Sequence, residues 1–79
     1  MKDQSKYEFE IIEHLGTICV SPSGWTLELN IVSWRGKPAK YDLRYWNPEH
    51  LRFDKGVRFN EENLPTLYRI LKERLEGGE

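Results

Sequence analysis

Apolar and polar residues alternate along most of the chain before Asn60, and after it the spacing lengthens to that of a helix. Over residues 7–20, Tyr7, Phe9 and Ile11 alternate with Glu8 and Glu10 before the pattern weakens at Ile12. This stretch, rich in β-branched and aromatic residues, predicts a long first strand. Gly16 inside it predicts a bend or bulge, because glycine adds no side chain to a flat ladder. Ser21, Pro22, Ser23 and Gly24 make a turn. In the second strand Trp25, Leu27, Leu29 and Ile31 share one face, while Thr26, Glu28, Asn30, Val32 and Trp34 share the other. One core face and one mostly wet face are expected. Arg35, Gly36, Lys37 and Pro38 supply a hairpin turn, with Gly36 free to take positive φ. The third strand alternates Ala39, Tyr41, Leu43 and Tyr45 with Lys40, Asp42, Arg44 and Trp46, so the polar face again ends in a tryptophan.

A loop opens at Asn47, Pro48, Glu49 and His50 and runs to about Asp54, and residues 55–59 suit a short fourth strand. Asn60 reads as a helix N-cap, with Glu61 and Glu62 favouring the positive end of the helix dipole. Leu64, Leu67, Tyr68, Leu71 and Leu75 form one apolar stripe opposite Arg69, Lys72 and Glu73. Pro65 would delete a hydrogen bond in a helix that began directly after Asn60, so a later start capped by Asn63 is the alternative. Gly77 and Gly78 end the helix. The expected fold class is α+β: a four-stranded antiparallel β-sheet followed by a C-terminal α-helix (ββββα), one domain over 1–79 with an ordered core of about 7–76.

A domain of 79 residues buries only about 60 to 65% of the surface its unfolded chain exposes. With no disulfide pair or Cys/His cluster to brace it, a partner subunit is the expected source of further burial, which predicts a homodimer. The helix stripe is the expected interface, through Leu71 and Leu75, whereas Trp25 and Tyr68 are expected to pack inside. Cys19 alone cannot close a bridge, and residues 1–6 are too polar for a secretory signal. No apolar run approaches the roughly 20 residues that span a bilayer. A soluble cytoplasmic protein, able to associate with the nucleoid, is expected.

The net charge of −1 is not that of a simple basic nucleic-acid binder. Its distribution changes the picture. Residues 25–58 hold seven basic and four acidic residues, a charge of +3, and the two ends together carry −4. The polar side of the hairpin gathers Trp34, Trp46, Arg44 and Lys40, with Arg35 and Lys37 at the turn. Every base has a π-face, so exposed indoles stack unpaired bases without reading sequence, at about 1 to 3 kcal/mol each. Cations between them track phosphates. Duplex hides its base faces, so single strands are the expected ligand, single-stranded DNA first. Unpaired RNA is the alternative, since stacking needs no deoxyribose, and a protein-docking patch built on the same tryptophans is a third reading. A solvated sheet with alternating charge is the structural alternative. Catalysis finds no support: His14 and His50 are far apart, Cys19 is the single possible thiolate, Glu8, Glu10 and Glu13 read as a solvated edge, and no phosphate loop, metal-ligand spacing or cofactor motif occurs.

The run Lys40-Tyr41-Asp42-Leu43-Arg44-Tyr45-Trp46, then Lys55-Gly56-Val57-Arg58-Phe59 leading into an acidic-started helix, resembles the family of the transcriptional coactivator positive cofactor four, above all its bacterial single-domain members. The hairpin Trp34-Arg35-Gly36-Lys37 is similar to that family's aromatic-Lys-Gly-Lys turn, and Phe9-Glu10-Ile11-Ile12-Glu13 resembles the start of the bacterial proteins. The likeness runs from about Tyr7 to Leu75. It implies a dimer whose sheets form grooves for single-stranded DNA, in transcription, replication or repair. By position, the residues it implies are Trp34, Arg35, Lys37, Arg44, Trp46 and Lys55. Val32 stands where the coactivator has a basic residue, the 47–54 loop is shorter and less basic, and Trp46 matches only with a one-residue shift.

Overall fold

The computed structural model describes residues 8–77. Tyr7 and Gly78, placed above at the ends of the first strand and the helix, lie outside them. Strands β1 (Phe9–Val20), β2 (Thr26–Trp34), β3 (Lys40–Trp46) and β4 (Val57–Phe59) form one antiparallel meander in that order, followed by the helix α1 (Leu64–Glu76). The ββββα order is the one the alternation predicts.

The β2–β3 register is regular, with Glu28 opposite Arg44, Asn30 opposite Asp42 and Val32 opposite Lys40. Arg35 (φ 54°) and Gly36 (φ 74°) both take left-handed conformations at the turn, and the Lys37 N–H donates to the Trp34 carbonyl at 2.9 Å. Positive φ at both central residues is the mirror-image turn whose twist matches that of the strands. Along β1 the register slips three times, between Ile11 and Glu13, His14 and Gly16, and Thr17 and Cys19. The bulge expected near Gly16 is therefore one of a series, and the extra residues Ile12, Leu15 and Ile18 all stand exposed.

Bulges bend and twist the strand that carries them, and the sheet they border is curled. Trp46 pairs with Thr26, eight positions along β2 from Trp34, a separation of about 26 Å on a flat strand. Their rings nevertheless stack at 6.4 Å between centroids, with 11° between planes. Only a sheet folded toward this face brings the two together.

That curl reverses the expected assignment of faces. The side bearing Glu28, Asn30, Val32, Trp34, Asp42, Arg44 and Trp46 was expected to be mostly wet. It is the interior of the curl, where every one of these except the half-buried Trp34 is buried. The opposite face, with Leu27, Leu29, Ile31, Tyr41, Leu43 and Tyr45, is only half-buried, as is Trp25. Parity along the strands is as expected, but which side is covered is not.

The start of the helix reconciles both expected positions. Asn60 caps a single 3-10 turn, Glu61–Asn63, and α1 follows with Asn63 as its N-cap and Pro65 in the first turn. The first four N–H groups of a helix lack internal partners, so Pro65 deletes nothing there. The Asn60 N–H donates to Asn63 Oδ1 at 2.9 Å, and the Asn63 N–H to the Asn60 carbonyl at 2.9 Å. No residue of α1 is buried: Tyr68, expected to pack, is 65% exposed, and Leu71 and Leu75 are 52% and 83% exposed. Among the described residues no helix is long and apolar enough to cross a membrane.

Candidate nucleic-acid interface

Four aromatic rings line the inside of the curl. Phe9 from β1, Trp34 from β2, Trp46 from β3 and Phe53 from the following loop contact one another, with centroid distances of 5.0 to 6.4 Å. Tilted and edge-on pairs at such distances add about 0.5 to 1.5 kcal/mol each beyond the area they bury. Phe53 arrives because the 47–54 loop doubles back. Asn47 Oδ1 accepts the N–H groups of Leu51 and Arg52, each at 2.9 Å, the Asp54 N–H donates to the Tyr45 carbonyl at 3.2 Å, and Phe53 bridges to Trp46.

Trp46 sits deepest, with no exposed surface, covered by His50 stacked at 5.6 Å. Its indole N–H is buried and, among the described residues, has no hydrogen-bond partner. An exposed stacking ring was expected at this position; the curled strand and the returning loop enclose it instead. Trp34, half-buried and with Arg44 over its ring, keeps an accessible edge toward the cavities it lines.

Arg44 is 8% exposed, and its Nε donates to Asp42 Oδ1 at 2.7 Å while its Nη1 donates to the Asp54 carbonyl at 3.1 Å. Its guanidinium carbon lies 4.5 Å from the Trp34 ring centroid and 5.4 Å from that of Phe53, within cation–π range. The Trp34 indole N–H donates to the other oxygen, Asp42 Oδ2, at 3.0 Å.

Two adjoining cavities open on this side. One, of about 300 Å³, is walled by Trp34, Arg35, Lys37, Arg44, Phe53 and Arg58. The other, of about 380 Å³, is walled by Val32, Trp34, Lys37, Pro38, Lys40 and Arg58. Trp34, Lys37 and Arg58 belong to both. Of the residues expected from sequence, Trp34, Arg35, Lys37, Lys40 and Arg44 therefore come together. Trp46 lies beneath them, and Lys55 is a wall of neither cavity. Arg58 was not expected. It comes into place because β4 pairs with β3 so that Arg58 faces Asp42, a register that periodicity alone does not reveal.

The charge of the face follows from the same arrangement. Asp42 and Glu28 are buried and bonded inward, whereas Arg35, Lys37, Lys40 and Arg58 are exposed. Glu28 anchors the far end of the curl, accepting from Thr26 Oγ1 at 2.6 Å and Asn30 Nδ2 at 3.1 Å, with His50 Nε2 at 2.8 Å. Burial alone would raise the Glu28 carboxyl, but the hydrogen bonds from Thr26, Asn30 and His50 and the charge of His50 outweigh it and hold it below its ordinary value. Among the described residues no group of three or more His, Cys, Asp or Glu is arranged to hold a metal ion.

No established family profile matches this chain. It is similar to an uncharacterized protein of Treponema pallidum (strain Nichols), at 37% identity over 65 residues that cover 82% of this chain and 76% of that protein. Likeness of that extent over most of both chains reflects common descent, and the chain belongs to the family of this Treponema pallidum protein.

Proposed function

We propose that the chain is a non-enzymatic, sequence-tolerant binder of single-stranded DNA, positive-cofactor-four-like in mode and serving transcription, replication or repair. The observation that carries this reading is the pair of adjoining cavities sharing Trp34, Lys37 and Arg58, where an accessible indole edge lies among several cations. One base packs against the accessible edge of Trp34 while flanking phosphates meet Arg35, Lys37, Lys40, Arg44 and Arg58. Trp46 acts from behind, as the floor on which Trp34 rests. The binding unit is a homodimer, a reading supported by the uncovered stripe of α1 and the half-buried outer face of the sheet. The resemblance to positive cofactor four supports both parts.

Titration of a labelled oligothymidylate of about 20 nucleotides tests it, with a salt slope near −0.7 per phosphate contacted. The matching duplex is expected to bind far more weakly, and the matching RNA shows whether the sugar matters. Equal affinity for duplex would remove the case for base stacking.

A further inference from the structure

We infer that Asp42 is a positioning residue of this site: its buried carboxylate holds the Trp34 indole and the Arg44 guanidinium in the one mutual orientation that leaves both facing the cavity. The inference rests on the single-strand reading and names the residue that organises it.

Asp42 has no exposed surface and is not a wall of either cavity, yet each of its oxygens takes a donor from a residue that is. Oδ1 accepts from Arg44 Nε at 2.7 Å and Oδ2 from Trp34 Nε1 at 3.0 Å. Each bond adds a directional restraint to the packing around these side chains. Ring contacts are non-directional, and the carboxylate adds the preference for the setting with the indole N–H inward. A guanidinium held by Nε presents its far edge outward. With both bonds made, the Arg44 guanidinium carbon lies 4.5 Å from the Trp34 centroid, so one grip sets the stacking ring and the phosphate donor together. The third contact, Arg44 Nη1 to the Asp54 carbonyl, ties the same guanidinium to the loop that brings in Phe53.

Energetics point the same way. Burying an ion pair carries a large desolvation cost, and apolar residues of like size commonly serve stability as well or better. A carboxylate under a phosphate-binding surface also opposes its ligand within a Debye length of about 10 Å. Preorganisation offsets both costs, because groups already fixed lose no side-chain freedom when the strand arrives.

The two effects have opposite signs, which makes the inference testable. Asp42→Asn preserves shape but turns an N–H₂ toward one of the two donors, so only one bond survives, while the negative charge beneath the face is removed. Electrostatics alone would tighten binding. Positioning is expected to weaken it about tenfold or more, since a bond to a charged group is lost. Glu62→Gln, remote on the 3-10 turn, removes the same charge and is expected to leave affinity unchanged or slightly tighter. Trp34→Phe keeps a ring but deletes the N–H, and is expected to lose several-fold. Affinities come from anisotropy of labelled oligothymidylate, folding from circular dichroism.

Native-like Asp42→Asn protein that binds as tightly as the parent or more tightly overturns the inference. Should that variant fail to fold, Trp34→Phe at parental affinity overturns it instead. If the parent itself ignores single strands, the functional reading has failed, and the Trp34 indole resonance in the NMR N–H correlation spectrum then decides. A signal unmoved by Asp42→Asn refutes the grip, and a displaced one sustains it.

Discussion

A β-carbon at Gly56 would stand 2.5 Å from the Arg44 Cβ, 2.6 Å from its Nε and 2.7 Å from the Leu43 carbonyl oxygen. Glycine at this point lets the segment before β4 lie flat against Arg44, itself a wall of the cavity that Arg58 also lines. Two of the three nearest atoms belong to a side chain that is itself pinned to Asp42, so little can give way. Gly56→Ala is expected to destabilise the fold by about 1 to 3 kcal/mol, the usual range for overpacking. It should also weaken oligonucleotide binding. Urea denaturation read beside anisotropy checks both.

The two stacked tryptophans are expected to separate cleanly by role. Trp34→Ala removes the accessible ring and should cost about 1 to 3 kcal/mol of binding. Trp46→Phe keeps a ring in the floor and deletes a buried N–H that has no acceptor among the described residues. Its stability cost is expected at about 1 to 3 kcal/mol, because the smaller ring leaves a cavity while loss of the unpaired donor returns part of its desolvation penalty. Its affinity should remain within about twofold of the parent, a difference under about 0.5 kcal/mol. Parallel titrations and melts make the comparison.

Arg35 takes φ 54° at the first central position of the hairpin turn, a conformation that asparagine adopts more readily. Arg35→Asn is therefore expected to hold or raise stability by up to about 1 kcal/mol. If Arg35 meets a phosphate as proposed, the same change should reduce the salt slope by about 0.7. A variant that melts higher and binds more weakly would show that the arginine serves the ligand rather than the fold.

How much of this was legible beforehand differs from residue to residue. Alternation through Leu27, Leu29 and Ile31 and through Tyr41, Leu43 and Tyr45 gave β2 and β3 nearly residue by residue, since parity is a local property. The weakening at Ile12 was a trace of the bulges, but only Gly16 offered a chemical reason for one. Which face is covered was beyond reach, because the cover comes from Phe9 and Phe53, outside the hairpin, and from a curl that brings Trp34 to Trp46. The grip of Asp42 shares that origin. In sequence it reads as one more charge on a wet strand. Arg58 and Gly56 become visible only through pairing with β3 and a close approach, neither of which has a periodic signature.

Acid should loosen the far end of the curl. The Glu28 carboxyl lies below its ordinary value of 4.5 in the folded chain, so its ionised form contributes stability that is fully present above that value. The contribution is lost as pH falls through the lower folded-state value. Melting temperature is expected to fall below about pH 4.5. Glu28→Gln should flatten that limb while lowering stability at neutral pH, because His50 and Thr26 lose a charged acceptor.

The stripe of α1 bears on the proposed assembly. Leu71→Glu places a charge where a homodimer would bury a leucine, and is expected to convert a dimer to a monomer in sedimentation at micromolar concentration. A parent chain that sediments as a monomer would remove the dimer from the proposal.

Mapping the bound strand on the folded protein bears most directly on the central claim. With oligothymidylate added, the Trp34 indole N–H, the Arg44 Nε–H and the backbone signals of Arg35, Lys37 and Arg58 are expected to move most in NMR correlation spectra. Leu27, Leu29 and the helix surface should stay nearly still. Shifts confined to α1 or to the Leu27–Leu29 face, or none at saturating oligonucleotide, would contradict the assignment of the concave face as the binding surface.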